Sequence, residues 1–230
     1  MIKDKSMIQR VYEQVKKSSL LTHTVVATDH PDIFEHVNSF GGHVCMTHQH
    51  HVSGTDRCYE AMTLQDEKYD YVINIQGDEP FIKPDQIDLL ATRLDGKVEI
   101  ATLVKALQKR EDLFNPNLVK AVFSSKMEAL YFSRSPIPHI RNVDESKWLE
   151  KHTFFKHIGM YAYRSDILAQ LTNLPVSLLE RAESLEQLRW LENGYKILIA
   201  ETTTETLGID TPDDLERAIA YMERSDQFNQ

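Results

Sequence analysis

Apolar positions along this chain of 230 residues alternate between helical and strand spacing from the start. In "SMIQRVYEQVKKS", Ile8, Val11, Tyr12 and Val15 fall on one helical face, with Ser6 placed as the N-cap. "THTVVATD" is a short apolar run ending in a carboxylate, Asp29, and predicts a buried strand. "HPDIFEHVNSFGG" predicts a helix, with Pro31 near its start and Gly41 past its end. "HVCMT" predicts a strand and "SGTDRCYEAMTLQ" a helix after Gly54; "YDYVINIQGD" is the next strand and "KPDQIDLLATRL" the next helix. Strands and helices that alternate over short connections predict a parallel sheet covered on both faces.

Past residue 96 the rhythm changes. "VEIATLVKAL", "LVKAVFS", "EALYFSR" and "FFKHIGMYAYR" are strand-rich, with little helix between them. They predict antiparallel strands added to the sheet, or a small lobe beside it. "ERAESLEQLRWLENG" predicts one helix closed by Gly194, and "YKILIAET" one more strand. "DTPDDLERAIAYMER" predicts a last helix with Thr211 as N-cap, Pro212 in the first turn, and Asp213 and Asp214 at the positive end of its dipole.

Composition narrows the function. The chain is 41% hydrophobic and 27% charged, an ordinary soluble balance, and its apolar runs are too short to span a bilayer. A formal charge of -9 argues against general affinity for nucleic acid, although a metal ion can still bridge carboxylates to a nucleotide's phosphates. Two cysteines, Cys45 and Cys58, form neither a CxxC nor a disulfide framework, which places the expectation in a reducing, cytoplasmic compartment.

The chemistry concentrates at the ends of strands. In an open parallel sheet, ligands bind beyond the strands' carboxyl ends. Asp29 and the cluster Gln76, Gly77, Asp78 and Glu79 both follow such ends. Gly77 admits close backbone approach, and Asp78 offers hard oxygen atoms suited to Mg²⁺. By spacing alone, the same cluster is equally a polar turn with a proline stop. On a strand, His157, Gly159, Tyr161 and Tyr163 share one face, where they either meet a ligand or pack as core. Glu186 and Gln187 read as mid-helix, where a solvated face is the common reading. The histidines of "THQHHVSG" lack the further ligands a zinc site needs.

"NIQGDEPFI", "HVSGTDRCYEA", "ALYFSRSPIP", "HIGMYAYR", "AESLEQLRWLENG" and "GIDTPDDLERA", in this order, resemble the 3-deoxy-manno-octulosonate (Kdo) cytidylyltransferases, from about Met7 to the last helix. The resemblance implies a Rossmann-like nucleotidyltransferase α/β fold of three layers, mostly parallel with antiparallel additions in the second half. It implies a single nucleotidyltransferase domain over 1–230, whose β-rich portion, about 98–163, serves sugar binding and dimerisation. The implied reaction moves CMP from CTP onto Kdo with release of pyrophosphate, for lipopolysaccharide biosynthesis, with Mg²⁺ and a homodimer. Another acid sugar, or a truncated non-catalytic sugar-binding module, are the alternatives.

The same resemblance implies the site. Asp78 and Asp210 are the catalytic metal carboxylates, although Asp210 by position alone is a helix-dipole residue. Gln76, Arg134, His157, Tyr161, Glu186 and Gln187 are the Kdo contacts; an arginine fork suits the sugar's carboxylate. Ser53, Gly54, Thr55 and Arg57 are the CTP contacts, in a segment that otherwise reads as a helix start. One departure stands out. The family opens with a strand of the "IIPAR" type and a loop S-R-x-P-G-K-P that grips the triphosphate, whereas "KDKSMIQRV" aligns with the family's segment just past that loop. The expectation is a chain that lacks this strand and loop, with impaired turnover for want of their cations.

Overall fold

A computed structural model of the protein describes residues 2, 4–205, 209, 216 and 219. It divides into two compact units: Met1–Asp66, Ile75–Ala91 and Thr204–Gln230 form one, and Glu67–Asn74 with Thr92–Thr203 the other.

In the first unit, helix α1 (Met7–Val15) buries Val11, Tyr12 and Val15, and Ser6 caps it by accepting from the Gln9 N–H. Strands β1 (Val26–Thr28) and β2 (Val44–Met46) pair in parallel, Val26 opposite Val44. Helix α2 (Pro31–Ser39) connects them. Its cap is His30, whose Nδ1 accepts from the Asp32 N–H, a role that the proline signal hid. The turn after α2 needs two glycines for different reasons. Gly41 has φ +75°, and a Cβ on Gly42 would lie 2.7 Å from Val37 and Phe40 side-chain atoms. Helix α3 (Gly54–Thr63) follows Ser53, and α4 (Pro84–Ala91) buries Ile87 and Leu90.

The second unit is built on a six-stranded sheet. Its strands are β3 (Tyr71–Asn74), β4 (Ile100–Ala106), β5 (Lys120–Phe123), β6 (Ala129–Ser133), β7 (Phe155–Arg164) and β8 (Ile197–Glu201). β7 organises it. On one edge β7 pairs antiparallel with β4; on the other, its two ends pair with β3 and β5, also antiparallel. β6 adds antiparallel to β5, and β8 adds parallel to β4. The mixed α/β class holds, with the antiparallel additions supplying most of the pairing in this sheet. Short helices α5 (Arg110–Phe114) and α6 (Trp148–Lys151) close a side cluster in which Leu107, Leu113, Trp148 and Phe154 are buried. α7 (Ser165–Leu171) buries Ile167, Leu168 and Leu171.

The segment read as one helix from Glu180 to Gly194 is two: α8 (Leu178–Glu183) and α9 (Gln187–Glu192). Ser184 between them is left-handed, φ +51° and ψ +50°, which ends α8. The break escapes the apolar pattern because Leu185 and Leu188, just past it, keep helical spacing; both are buried. Arg189 then locks α9 to α8 through a two-pronged pair with Glu180, at 2.7 and 2.6 Å. The last predicted helix, with Thr211, Pro212, Asp213 and Asp214, lies outside the described residues. Among the described residues no helix is long and apolar enough to cross a membrane.

Candidate active site

Two groups of the sequence-predicted residues fall in the first unit. Gln76, Gly77, Asp78 and Glu79 form a turn directly after β3 in the chain, closed by the Glu79 N–H on the Gln76 carbonyl at 3.3 Å. A Cβ at Gly77 would sit 3.5 Å from the Ile8 side chain, an ordinary contact, so nothing among the described residues demands glycine there. The Asp78 carbonyl accepts from the Ile209 N–H at 3.0 Å. That bond brings the chain immediately before Asp210 to Asp78; Asp210 itself lies outside the described residues.

The second group begins at α3. Ser53 caps this helix by accepting from the Asp56 N–H at 3.1 Å, and Thr55 is buried on its first turn. Arg57 donates from Nη1 to the Thr47 hydroxyl at 2.7 Å and pairs through Nη2 with Asp29 at 3.2 Å. The arginine thus ties α3 to the residues just past both β1 and β2. Asp29 is held below the usual carboxylate range by a backbone N–H and by Arg57. Glu60 gathers the neighbouring histidines: it accepts from the His48 N–H at 2.8 Å and contacts His51 Nε2.

Five of the six predicted sugar contacts, Arg134, His157, Tyr161, Glu186 and Gln187, fall in the second unit; Gln76 falls in the first. The β4–β7 register explains how two of the five come together. Thr102 faces Tyr161, but Leu103 faces Ile158, so Gly159 and Met160 are two extra residues on β7. An insertion of two preserves the alternation of faces, which a single extra residue would have reversed. His157, Tyr161 and Tyr163 therefore share a face with Thr102. The rings of His157 and Tyr161 are 5.1 Å apart, and those of Tyr161 and Tyr163 are 5.9 Å apart and stacked.

This face is dry and polar at once. Tyr161 is only 7% exposed, and its buried hydroxyl has no hydrogen-bond partner among the described residues. Burial, with Tyr163 and Glu186 adding to it, raises its pKa well above the usual phenol value. Trp190 on α9 meets Tyr161 edge-on at 5.1 Å, and its indole N–H is also buried and unpartnered among the described residues. Buried donors left without acceptors are costly. Glu186 and Gln187 stand at the start of α9 rather than mid-helix, because Ser184 breaks the helix; Gln187 is buried, not solvated.

Arg134 follows β6 and is held by main-chain carbonyls. Nε donates to Glu183 at 2.7 Å, Nη1 to Pro116 at 3.1 Å and Nη2 to Ser184 at 3.3 Å. A guanidinium has five N–H groups, so one on each Nη remains beyond these three bonds. Sequence reasoning missed the residues that support this arrangement. Lys120, fully buried on β5, donates to the carbonyls of Asn115, Leu118 and Arg134. Glu183 accepts from the Ser133 hydroxyl at 2.7 Å and the Arg134 N–H at 3.0 Å. A lysine inside an apolar strand, in "LVKAVFS", was the available signal for the first.

Known proteins resemble this chain over nearly its whole length. The cytidylyltransferase family model matches residues 1–197. A 3-deoxy-manno-octulosonate cytidylyltransferase of Parabacteroides distasonis is 56% identical over 223 residues, covering 95% of this chain and 88% of that protein. Its namesake in Cytophaga hutchinsonii is 56% identical over 217 residues, with 94% and 87% covered. The solved structure of a CMP:2-keto-3-deoxy-manno-octonic acid synthetase complexed with CTP superposes with a TM-score of 0.90 at 41% identity, covering 98% of this chain and 90% of that one. A 4-diphosphocytidyl-2C-methyl-D-erythritol synthase, at 11% identity and a TM-score of 0.63, shares the fold alone.

Proposed function

The chain belongs to the 3-deoxy-manno-octulosonate cytidylyltransferases, and from that membership we infer that it transfers CMP from CTP to Kdo and releases pyrophosphate. Relatives that bear this name at 56% identity, over nearly the whole chain, carry the inference. A different acid sugar, or a non-catalytic sugar-binding role, finds no support among them.

The reaction is a substitution at phosphorus. The anomeric hydroxyl oxygen of Kdo loses its proton to water and forms a bond to the α-phosphorus of CTP, the bond from that phosphorus to the α,β-bridging oxygen breaks, and pyrophosphate leaves with the electron pair. No protein nucleophile is required, so the chain's contribution is positioning and charge. In our reading, the two remaining N–H groups of Arg134 take the Kdo carboxylate. Gln76, His157, Tyr161, Glu186 and Gln187 take its hydroxyls. Ser53, Gly54, Thr55 and Arg57 line the CTP side.

For Mg²⁺ the donor chemistry fits. Asp78 and Asp210 are hard carboxylate donors, and the Ile209–Asp78 bond brings the chain preceding Asp210 to the Asp78 main chain. These two residues would hold the ion, which when bound supplies positive charge to phosphate oxygens. We also propose a homodimer that uses the β-rich portion at 98–163, which the resemblance supports and sedimentation tests, and a cytoplasmic location, which the pattern of Cys45 and Cys58 supports. A coupled pyrophosphate-release assay with CTP and Kdo tests the function. Turnover with sialic acid and none with Kdo overturns the substrate assignment.

A further inference from the structure

His157 has a feature that the sugar-binding reading leaves unused: the direction of its hydrogen bond to Thr102. Thr102 is fully buried on β4, opposite Tyr161. Its hydroxyl lies 2.8 Å from the Met160 carbonyl oxygen, 3.2 Å from that of Ile158 and 2.9 Å from His157 Nε2. A hydroxyl has one proton to give and two lone pairs. Carbonyl oxygens only accept, so the proton points to them, and the third neighbour has to donate. That donor is Nε2–H of His157. In the opposite tautomer the threonine proton would lie on Nε2, and the hydroxyl oxygen would face two carbonyl oxygens with no hydrogen between them, at a fully buried position.

A neutral imidazole with its proton on Nε2 carries a lone pair on Nδ1. Burial keeps the ring neutral, with its pKa driven down to about 3. Among the described residues Nδ1 receives no hydrogen bond. The two extra residues of β7, Gly159 and Met160, bring the Ile158 and Met160 carbonyls onto one threonine hydroxyl.

We propose that Thr102 is a positioning residue that fixes His157 as the Nε2–H tautomer, so that His157 meets the acid sugar through Nδ1 as a hydrogen-bond acceptor. The proposal rests on the reading that His157 faces Kdo, and it sharpens that reading. An Nδ1 lone pair requires a hydroxyl donor and repels a carboxylate. The sugar's carboxylate is thereby turned away from His157 and left to Arg134. Kdo analogues whose matching hydroxyl is methylated or replaced by fluorine lose this contact; those altered at the carboxylate do not.

The test combines spectroscopy and kinetics. In ligand-free protein labelled with ¹⁵N at histidine, long-range ¹H–¹⁵N correlation reads each ring's tautomer; a His157→Gln variant assigns the signals. The expected result at neutral pH is a protonated Nε2 and an unprotonated Nδ1 at His157. A protonated Nδ1 overturns the proposal whether or not the protein turns over Kdo, so its failure is distinct from failure of the functional reading. In the Thr102→Val variant, the single tautomer should give way to a mixture. The KM for Kdo should rise about five- to tenfold, the effect of losing one hydrogen bond, with the KM for CTP unchanged. Thr102→Ser should restore both. If Thr102→Val does not fold, Thr102→Ser together with the wild-type spectrum still decides. An unchanged tautomer and an unchanged KM for Kdo in folded Thr102→Val also overturn the proposal.

Discussion

Lys120 Nζ donates to the main-chain carbonyl of Arg134, so a fully buried ammonium anchors the backbone of the residue that we assign to the sugar's carboxylate. Its other partners are the carbonyls of Asn115 and Leu118. Among the described residues no carboxylate is hydrogen-bonded to it. Burial pulls its pKa from 10.5 down to about 8, with Glu183 pushing the other way.

Replacing Lys120 by Met should therefore cost more than packing. It leaves three carbonyls without their donor, and an unsatisfied buried polar group costs about 1–3 kcal/mol. We expect a loss of roughly 2–4 kcal/mol in urea unfolding, a large single-site effect. The pH dependence has a definite sign. Between pH 8 and 10.5 the folded lysine has released a proton that the unfolded chain keeps. Lys120 therefore makes stability rise with pH across that window, by at most about 1.4 kcal/mol per unit. The variant should lack this rise. Parallel curves for wild type and Lys120→Met across that window would contradict it.

Arg134 supplies the second expectation. Three of its N–H groups are committed to the Glu183, Pro116 and Ser184 carbonyls, and two remain, one on each Nη. Lysine cannot reproduce that pair while also holding the three carbonyls. Arg134→Lys should thus be nearly as damaging as Arg134→Ala, weakening Kdo binding by about 2 kcal/mol or more. CTP binding should hold. Separate titrations of the two substrates check this, and a loss confined to CTP would move Arg134 out of the sugar site.

How much of this was legible in the sequence differs by residue. Ser6, Ser53, Gly41 and Gly194 announced their caps and turns, because capping and positive φ are local demands that only a few residue types meet. The shared face of His157 and Tyr161 was also legible, and it survives only because the irregularity in β7 adds two residues rather than one. Ser184 was not legible: serine rarely takes φ +51°, and the leucines just past it, Leu185 and Leu188, keep helical spacing. What Thr102 and Lys120 hold was illegible for a different reason, although a lysine in an apolar strand is itself a signal. Each acts through carbonyl groups brought to it by strand pairing or by separate turns, and side-chain periodicity carries no record of where main-chain carbonyls point. The order of the strands in the sheet was hidden likewise, since "FKHIGMYAYR" gives no sign that three strands share its two edges.

The proposed metal carboxylates separate charge from shape. Asp78→Asn and Asp210→Asn keep the side chain's size and remove the charge that would hold Mg²⁺. Each should abolish turnover while leaving the fold intact, read as a circular dichroism spectrum like that of wild type. Added Mg²⁺ should restore little, because one carboxylate then remains. Magnesium titration by calorimetry in the presence of CTP gives a readout apart from turnover. Unaltered Mg²⁺ binding in either variant removes that residue from the site.

His157 should also leave a mark on acid stability, independent of catalysis. Its pKa falls from 6.5 to about 3 because burial disfavours the charged ring. Below pH 6.5 the unfolded chain takes up a proton that the folded chain refuses, so the folded state is penalised as pH falls towards 3. Above pH 6.5 both states are neutral at this residue and the penalty is absent. The sign is opposite to that of a histidine held in an ion pair, which stabilises the fold at low pH. His157→Gln keeps a polar side chain at this position and removes the titration. Its stability relative to wild type should therefore improve steadily below pH 6.5, by roughly 2 kcal/mol at pH 5. Carboxylates elsewhere titrate alike in both proteins and cancel in the difference. Urea midpoints measured from pH 7.5 to 5 check this: a difference that stays flat means that the folded ring takes up its proton at the same pH as the unfolded chain, so that burial does not hold it neutral below pH 6.5.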